Sequence, residues 1–321
     1  MHWQQHLIQG FTSNQDLLNY LELPPDSSHD AALTFKTKVP LGFAARMQKG
    51  NRHDPLLIQV LADPQELESP TEYVQDPLSE LDANPIPGLL HKYHGRVLLT
   101  LTQACAVHCR YCFRRHFPYA DNNPKSNQWE RVLQYIANDP SIYEVILSGG
   151  DPLMLADKTL LLFIEQLNHI AHVDILRFHT RLPIVLPERI DSSLLHTLQQ
   201  SRPQVVFVMH CNHPQEIDEQ VILACQRLRE QNLPLYNQSV LLAGVNDNSD
   251  LLAMLSRRLF NIGVQPYYLH ALDKVAGAHH FFVPEERAQA IYQQLHAKLP
   301  GYLLPKWVKE EPNTLGKTFL G

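Results

Sequence analysis

From Gly88 onward, short β-branched or aliphatic runs alternate with stretches of helical period, the pattern of repeated β-α units around a parallel sheet. The runs predict six strands, at Val97–Thr102, Glu144–Ser148, Ile175–Arg181, Val205–His210, Leu235–Leu241 and Val264–Leu269. Helices are predicted at Asn127–Asn138, Lys158–Ile170 with Asp157 as N-cap, Ser192–Gln200, Gln215–Gln231, Ser249–Phe260 and Glu285–Leu299. Six such units with unequal loops predict an incomplete α/β barrel. Before Gly88, prolines from Pro24 and Pro25 to Pro85 and Pro87 break the pattern. Only short amphipathic helices fit between them, at Gln15–Leu23, Leu41–Lys49 and Pro55–Leu61, which predicts a helical wrap packed on something larger. The expected division is a wrap over 1–88, a barrel over 89–283 and a C-terminal helix with its tail over 284–321.

In parallel barrels the reactive groups gather at the C-terminal ends of the strands. Here those ends are polar throughout: Cys105 to Cys112, Ser148 to Asp151, His179 and Arg181, His210 with Asn212 and His213, Asn237 with Gln238, and His270 with Asp273. An inert scaffold has no need of them. Lys and Arg number 27 against 33 Asp and Glu, a net charge of −6, which argues against a nucleic-acid partner. No apolar run reaches membrane-spanning length, and the opening MHWQQHLIQGF lacks the features of a secretory leader, so the expected compartment is the cytoplasm.

Three of the five cysteines fall within eight residues as Cys105-x3-Cys109-x2-Cys112. Soft thiolates at this spacing suit zinc, with His108 or His116 as a fourth ligand, or an iron-sulfur cluster. On a four-iron cluster, three cysteines leave one iron open for a substrate or cosubstrate. Cys211 and Cys225 lie apart, Cys225 on the buried side of an amphipathic helix.

The C-x3-C-x2-C spacing, with Tyr111 before the third cysteine, resembles radical S-adenosylmethionine (SAM) enzymes, which implies a partial (β/α)6 TIM-like radical SAM barrel behind an N-terminal helical extension. The segment from Ser148 to Met154 resembles the glycine-rich loop that meets the amino group of SAM. Further ordered segments are similar to lysine 2,3-aminomutases: RLPIVLPERI from Arg181, HCNHPQEI from His210, NQSVLLAGVND from Asn237, PYYLHALDKVAGAHHF from Pro266, and Gly316-Lys317-Thr318. HKYHGR from His91 and CFRRHFPYA from Cys112 look closer still to the short bacterial branch that acts in elongation factor P modification.

That resemblance implies an isomerase with three cofactors, a 4Fe-4S cluster on Cys105, Cys109 and Cys112, SAM, and pyridoxal phosphate (PLP) held by Lys317. It implies Arg96 and Lys92 at the PLP phosphate, and Ser148, Gly149, Gly150, Asp151, His210 and Gln238 at the SAM site. Arg114 would take the substrate α-carboxylate, and Asp273 with Glu310 the ε-ammonium of L-lysine. Read without the resemblance, His210 is equally a satisfied core histidine, Arg114 part of a solvated basic face with Arg110 and Arg115, Asp273 a helix cap, and Lys317 a tail lysine beside Lys306 and Lys309. The implied reaction moves nitrogen from C2 to C3 of lysine to make β-lysine, with an external one-electron reductant and a functional link to a ligase that modifies elongation factor P. A free amino-acid aminomutase in metabolism is the alternative, and an iron-sulfur carrier would leave Lys317 idle. Longer aminomutases carry a C-terminal zinc extension; with Asn248 at the matching cysteine position and four residues after Lys317, no zinc and a homodimer are expected.

Overall fold

The computed structural model describes residues 2–25, 29–68, 70–122, 129–312 and 314–321. All six expected strands are present within one nine-stranded sheet in chain order: β1 Leu89–Tyr93, β2 Arg96–Thr102, β3 Glu144–Gly149, β4 Ile175–Thr180, β5 Gln204–His210, β6 Leu235–Val240, β7 Gln265–His270, β8 Lys306–Lys309 and β9 Thr318–Phe319. Strands β2 to β8 pair in parallel, while β1 and β9 close the two edges antiparallel to β2 and β8. The sheet curls: residues from both edges, Lys92 at one and Lys317 at the other, line one cavity. The seventh parallel strand, β8, escaped the sequence reading because Lys306–Lys309 is four residues long and half lysine. Gly95 makes the tight β1–β2 turn at φ 76°, where a Cβ would lie 2.5 Å from the Tyr143 ring.

Helices follow the parallel strands as the periodicity predicts. Their bounds are Trp129–Asn138, Asp157–Asn168, Ser192–Gln199, Glu219–Glu230, Ser249–Asn261 and Glu285–Lys298. Residues 127 and 128, at the start of the first expected helix, lie outside the described set. Asp157 is not the cap of the second helix. Ala156 holds that position, and the Asp157 carboxylate instead accepts from Arg189 Nη2 at 2.6 Å. The helix expected from Gln215 starts at Glu219, capped by Asp218, because Pro214–Glu216 forms a separate turn. Apolar outward positions such as Val145 and Leu147 of β3 share a core with Leu160, Phe163, Ile164 and Leu167 of the next helix. That core also takes Trp3, Leu17, Phe43 and Leu57 from the N-terminal segment. Its helices Asn14–Tyr20, Leu41–Ala44 and Pro55–Ile58 are shorter than the expected Gln15–Leu23, Leu41–Lys49 and Pro55–Leu61, and Trp3–Ile8 and His29–Thr34 were not expected.

A buried ion cluster joins this segment to the cysteine loop. Glu66 accepts from Arg110 Nε at 2.8 Å and Nη2 at 2.5 Å and from Arg115 Nη2 at 2.7 Å, with the Phe35 ring stacked against both guanidinia. Arg110 and Arg115 are therefore not a solvated basic face. Removing one partner strands buried charge, so Glu66→Ala should lower the unfolding free energy by about 3–5 kcal/mol. Urea denaturation monitored by circular dichroism would read this; a loss under about 1 kcal/mol would mean that water replaces the carboxylate.

Candidate active site

At the C-terminal ends of the strands lies a cavity of about 300 Å³. Its wall contains all fifteen residues singled out from the sequence: the three cysteines, Lys92, Arg96, Arg114, Ser148, Gly149, Gly150, Asp151, His210, Gln238, Asp273, Glu310 and Lys317. Burial pushes the Cys112 thiol up to about 11 and Cys105 well above its ordinary value, so both are neutral thiols until a bound cation draws off their protons. Among the described residues no three His, Cys, Asp or Glu side chains converge on one ion. All three thiols line the cavity and lie close enough to raise one another's pKa. His108 and His116 are engaged elsewhere, with the carbonyls of Lys36 at 2.7 Å and Ala276 at 3.1 Å.

On the same side, Asp151 ties β3 to β4: its carboxylate accepts from Leu153 N, Thr180 Oγ1 and Arg181 N at 2.7–3.1 Å. Burial nonetheless raises it to about 6. Gly149, at φ 101°, and Gly150 pass against the backbone of Thr100 to Ala104, where a Cβ on Gly150 would meet the Ala104 carbonyl at 2.5 Å. Close chain packing is thus a reason for these glycines independent of any ligand. His210 lines the cavity, and its Nε2 meets Tyr111 Oη at 2.8 Å. Burial and the nearby Arg181 hold it neutral. Arg181 donates to Cys109 Sγ at 2.8 Å and to Gln59 and Glu216.

The opposite side holds the charged groups. Lys317 Nζ pairs with Glu310. Burial raises Glu310, but Lys317 and then Lys92 outweigh it and bring the carboxyl down to about 2. Asp273, half-buried at the cavity wall and beside that anion, is pushed up to about 7 by desolvation and then by Glu310. Lys92 bridges two carboxylates, 3.5 Å from Glu80 and 3.7 Å from Glu310. Arg96 has no ion pair among the described residues; its guanidinium lies 4.7 Å over the Tyr93 ring. Lys306 and Lys309, the rival lysines, do not line the cavity, and Lys309 pairs with Glu311 at 2.9 Å.

Sequence reasoning gave no role to several residues of this wall: His179 was named only as a polar strand end, and Arg177 and Glu80 were not named at all. Arg177 and His179 occupy alternate inward positions on β4, a polar alternation in an otherwise apolar strand that could have flagged them. Arg177 Nε, His179 Nε2 and Arg181 Nε are buried on this wall without a partner, donors and acceptors waiting for a ligand. Glu80, in the N-terminal segment, gave no signal at all. With three cysteines on one cavity wall, an Arg96 that has no ion pair among the described residues, and orphaned polar atoms, the residues present fit a cluster, SAM and PLP.

Residues 99–255 match the Radical SAM superfamily, and the curled parallel sheet with its three-cysteine loop makes this chain an enzyme of that class. The chain is 45% identical to the L-lysine 2,3-aminomutase of Haemophilus influenzae, over 97% of its own length and 94% of the relative's, and 45% identical to that of Escherichia coli, over 98% and 93%. The enzyme of that name from Clostridium subterminale is 35% identical over 98% of this chain, which spans 77% of that longer relative. The chain belongs to the lysine 2,3-aminomutase family, whose members are isomerases that use a 4Fe-4S cluster, SAM and PLP. Among the described residues no helix is long and apolar enough to cross a membrane.

Proposed function

We propose that this chain converts L-lysine to β-lysine by moving the α-amino group to C3. The observation that carries the reading is the set of charges lining one cavity: the Arg114 cation, the Asp273 and Glu310 carboxyls, and Lys317 beside Glu310. An amino acid with one carboxylate and one terminal cation finds a partner for each. Arg114 receives the α-carboxylate, Asp273 the ε-ammonium, and Glu310 becomes a second partner for that ammonium once Lys317 is committed to PLP. Arg96, with Lys92, holds the PLP phosphate; Cys105, Cys109 and Cys112 hold the cluster; Ser148 to Asp151, His210 and Gln238 border SAM. When bound, the cluster and SAM supply one-electron chemistry that removes and returns a hydrogen atom, and PLP supplies the carbon that carries the migrating nitrogen. The protein's own part is to fix both ends of lysine so that C3 faces the hydrogen acceptor, and to keep water out.

The reading extends to the cytoplasm, to an external reductant, and to (R)-β-lysine destined for elongation factor P through a separate ligase. Support comes from the HKYHGR and CFRRHFPYA segments and from the 45% identity to the Haemophilus influenzae and Escherichia coli relatives. An anaerobic assay of reconstituted protein with PLP, SAM, dithionite and L-lysine, resolved by chiral chromatography, tests it. The R enantiomer is the expected product. The S enantiomer would remove the elongation factor P role, and no β-lysine from protein with full iron and PLP content would remove the activity.

A further inference from the structure

Glu80 has no place in the roles assigned so far, yet it is 3% exposed and touches two of the residues that have one. Its carboxylate accepts from Arg114 Nε at 2.7 Å and Nη2 at 2.8 Å, a side-on fork, and lies 3.5 Å from Lys92 Nζ. Arg114 Nη1 donates in addition to Ser148 Oγ at 2.9 Å. A guanidinium has five N–H groups. Three are committed here, and the two that remain sit one on Nη1 and one on Nη2, the outer edge that suits a second carboxylate bound end-on.

The segment carrying Glu80 is held firmly. Asp76 accepts from Glu80 N at 3.0 Å and from Leu81 N at 3.3 Å, and Ser79 adopts the left-handed region at φ 47°, ψ 46°. A non-glycine residue keeps that conformation only where its surroundings over-determine it. Burial alone works against the charge of Arg114, and the Glu80 carboxylate more than offsets this.

We infer that Glu80 is a positioning residue for the substrate carboxylate: by filling the side edge of Arg114 it leaves the outer edge, pointed in one direction, as the docking site. Through Lys92 the same carboxylate joins a line of alternating charges, Arg114, Glu80, Lys92, Glu310 and Lys317, along one wall of the cavity. The inference rests on Arg114 being the carboxylate site. Without Glu80 the long guanidinium keeps, among the described residues, the Ser148 hydrogen bond and the Phe113 ring 4.7 Å away, and neither fixes the direction of its outer edge.

The test compares binding of L-lysine with that of L-lysinamide, which keeps both amines but has no carboxylate, on PLP-loaded protein without reductant, by calorimetry. Wild-type protein should prefer lysine by about tenfold or more, the size of a charge-assisted bidentate pair. Glu80→Gln should cut that preference to below about threefold with iron and PLP content unchanged. Glu80→Asp retains the buried charge, and so folds, but cannot span Nε and Nη2; it should cut the preference in the same direction. Wild-type preference in either variant, or an increase, overturns the inference, as does equal weakening of both ligands. Arg114→Met separates the underlying reading, because a preference that survives this change means the carboxylate docks elsewhere.

Discussion

Lys317→Ala protein is expected to lose β-lysine formation by on the order of 10³-fold or more, about 4 kcal/mol of transition-state stabilisation. Two lysines, Lys317 and Lys92, line the cavity, so activity alone would not tell which one holds the cofactor. Borohydride reduction followed by peptide mass mapping does. In wild-type protein the pyridoxyl group should be found on Lys317; in Lys317→Ala it should be absent, with iron content and circular dichroism retained. Geometry favours Lys317 for a physical reason. Lys92 is tied between two carboxylates, Glu80 at 3.5 Å and Glu310 at 3.7 Å, whereas Lys317 pairs with Glu310 and has the Tyr268 ring 5.8 Å away. A pyridoxyl group mapped to Lys92 would reverse the assignment.

The second large effect belongs to Asp273. Burial, with the nearby Glu310 and Glu80 carboxylates, raises it from 3.8 to about 7, while Lys317 and Lys92 work in the opposite sense. Below that pH the empty site holds a neutral carboxyl that offers little to an ammonium. Lysine affinity should therefore rise with pH, about tenfold per unit, and level off above about 7. Asp273→Asn should lower kcat/KM for lysine by about 10²-fold or more and flatten this dependence. Stability changes in the other direction. A native-state pKa above the unfolded one contributes stability at low pH, below 3.8, and that contribution is lost as pH rises through about 7. At mildly alkaline pH, Asp273→Asn should then be at least as resistant to heat as wild type. A variant that binds lysine normally, or that unfolds earlier at alkaline pH, would show that Asp273 serves the fold and not the ammonium.

Much of the scaffold could be read from local pattern. A strand buried on both faces must be apolar along its whole length, so β3 and β5 stood out, and the helices that cover them announced themselves by period. Where local signals were weak the reading failed. Strand β8 is two lysines around Trp307 and Val308, and it exists because the open edge of β7 is there to pair with it. Asp157 has the composition of a cap, yet Arg189, thirty-two residues away along the chain, draws its carboxylate into an ion pair.

The candidate site divides in the same way. By itself the sequence determined the cysteine spacing, the glycine loop, the polar strand ends and Lys317, because each is a property of neighbouring residues or of an ordered series of motifs. Tertiary structure decided which charges meet. Glu80 and Arg114 are thirty-four residues apart, Lys92 and Glu310 more than two hundred, and no short-range pattern records such a pair. Which carboxylate keeps its proton was also decided there, since burial and the order of neighbouring charges lower Glu310 to about 2 and raise Asp273 to about 7, and both depend on the curl of the sheet that brings its two edges together.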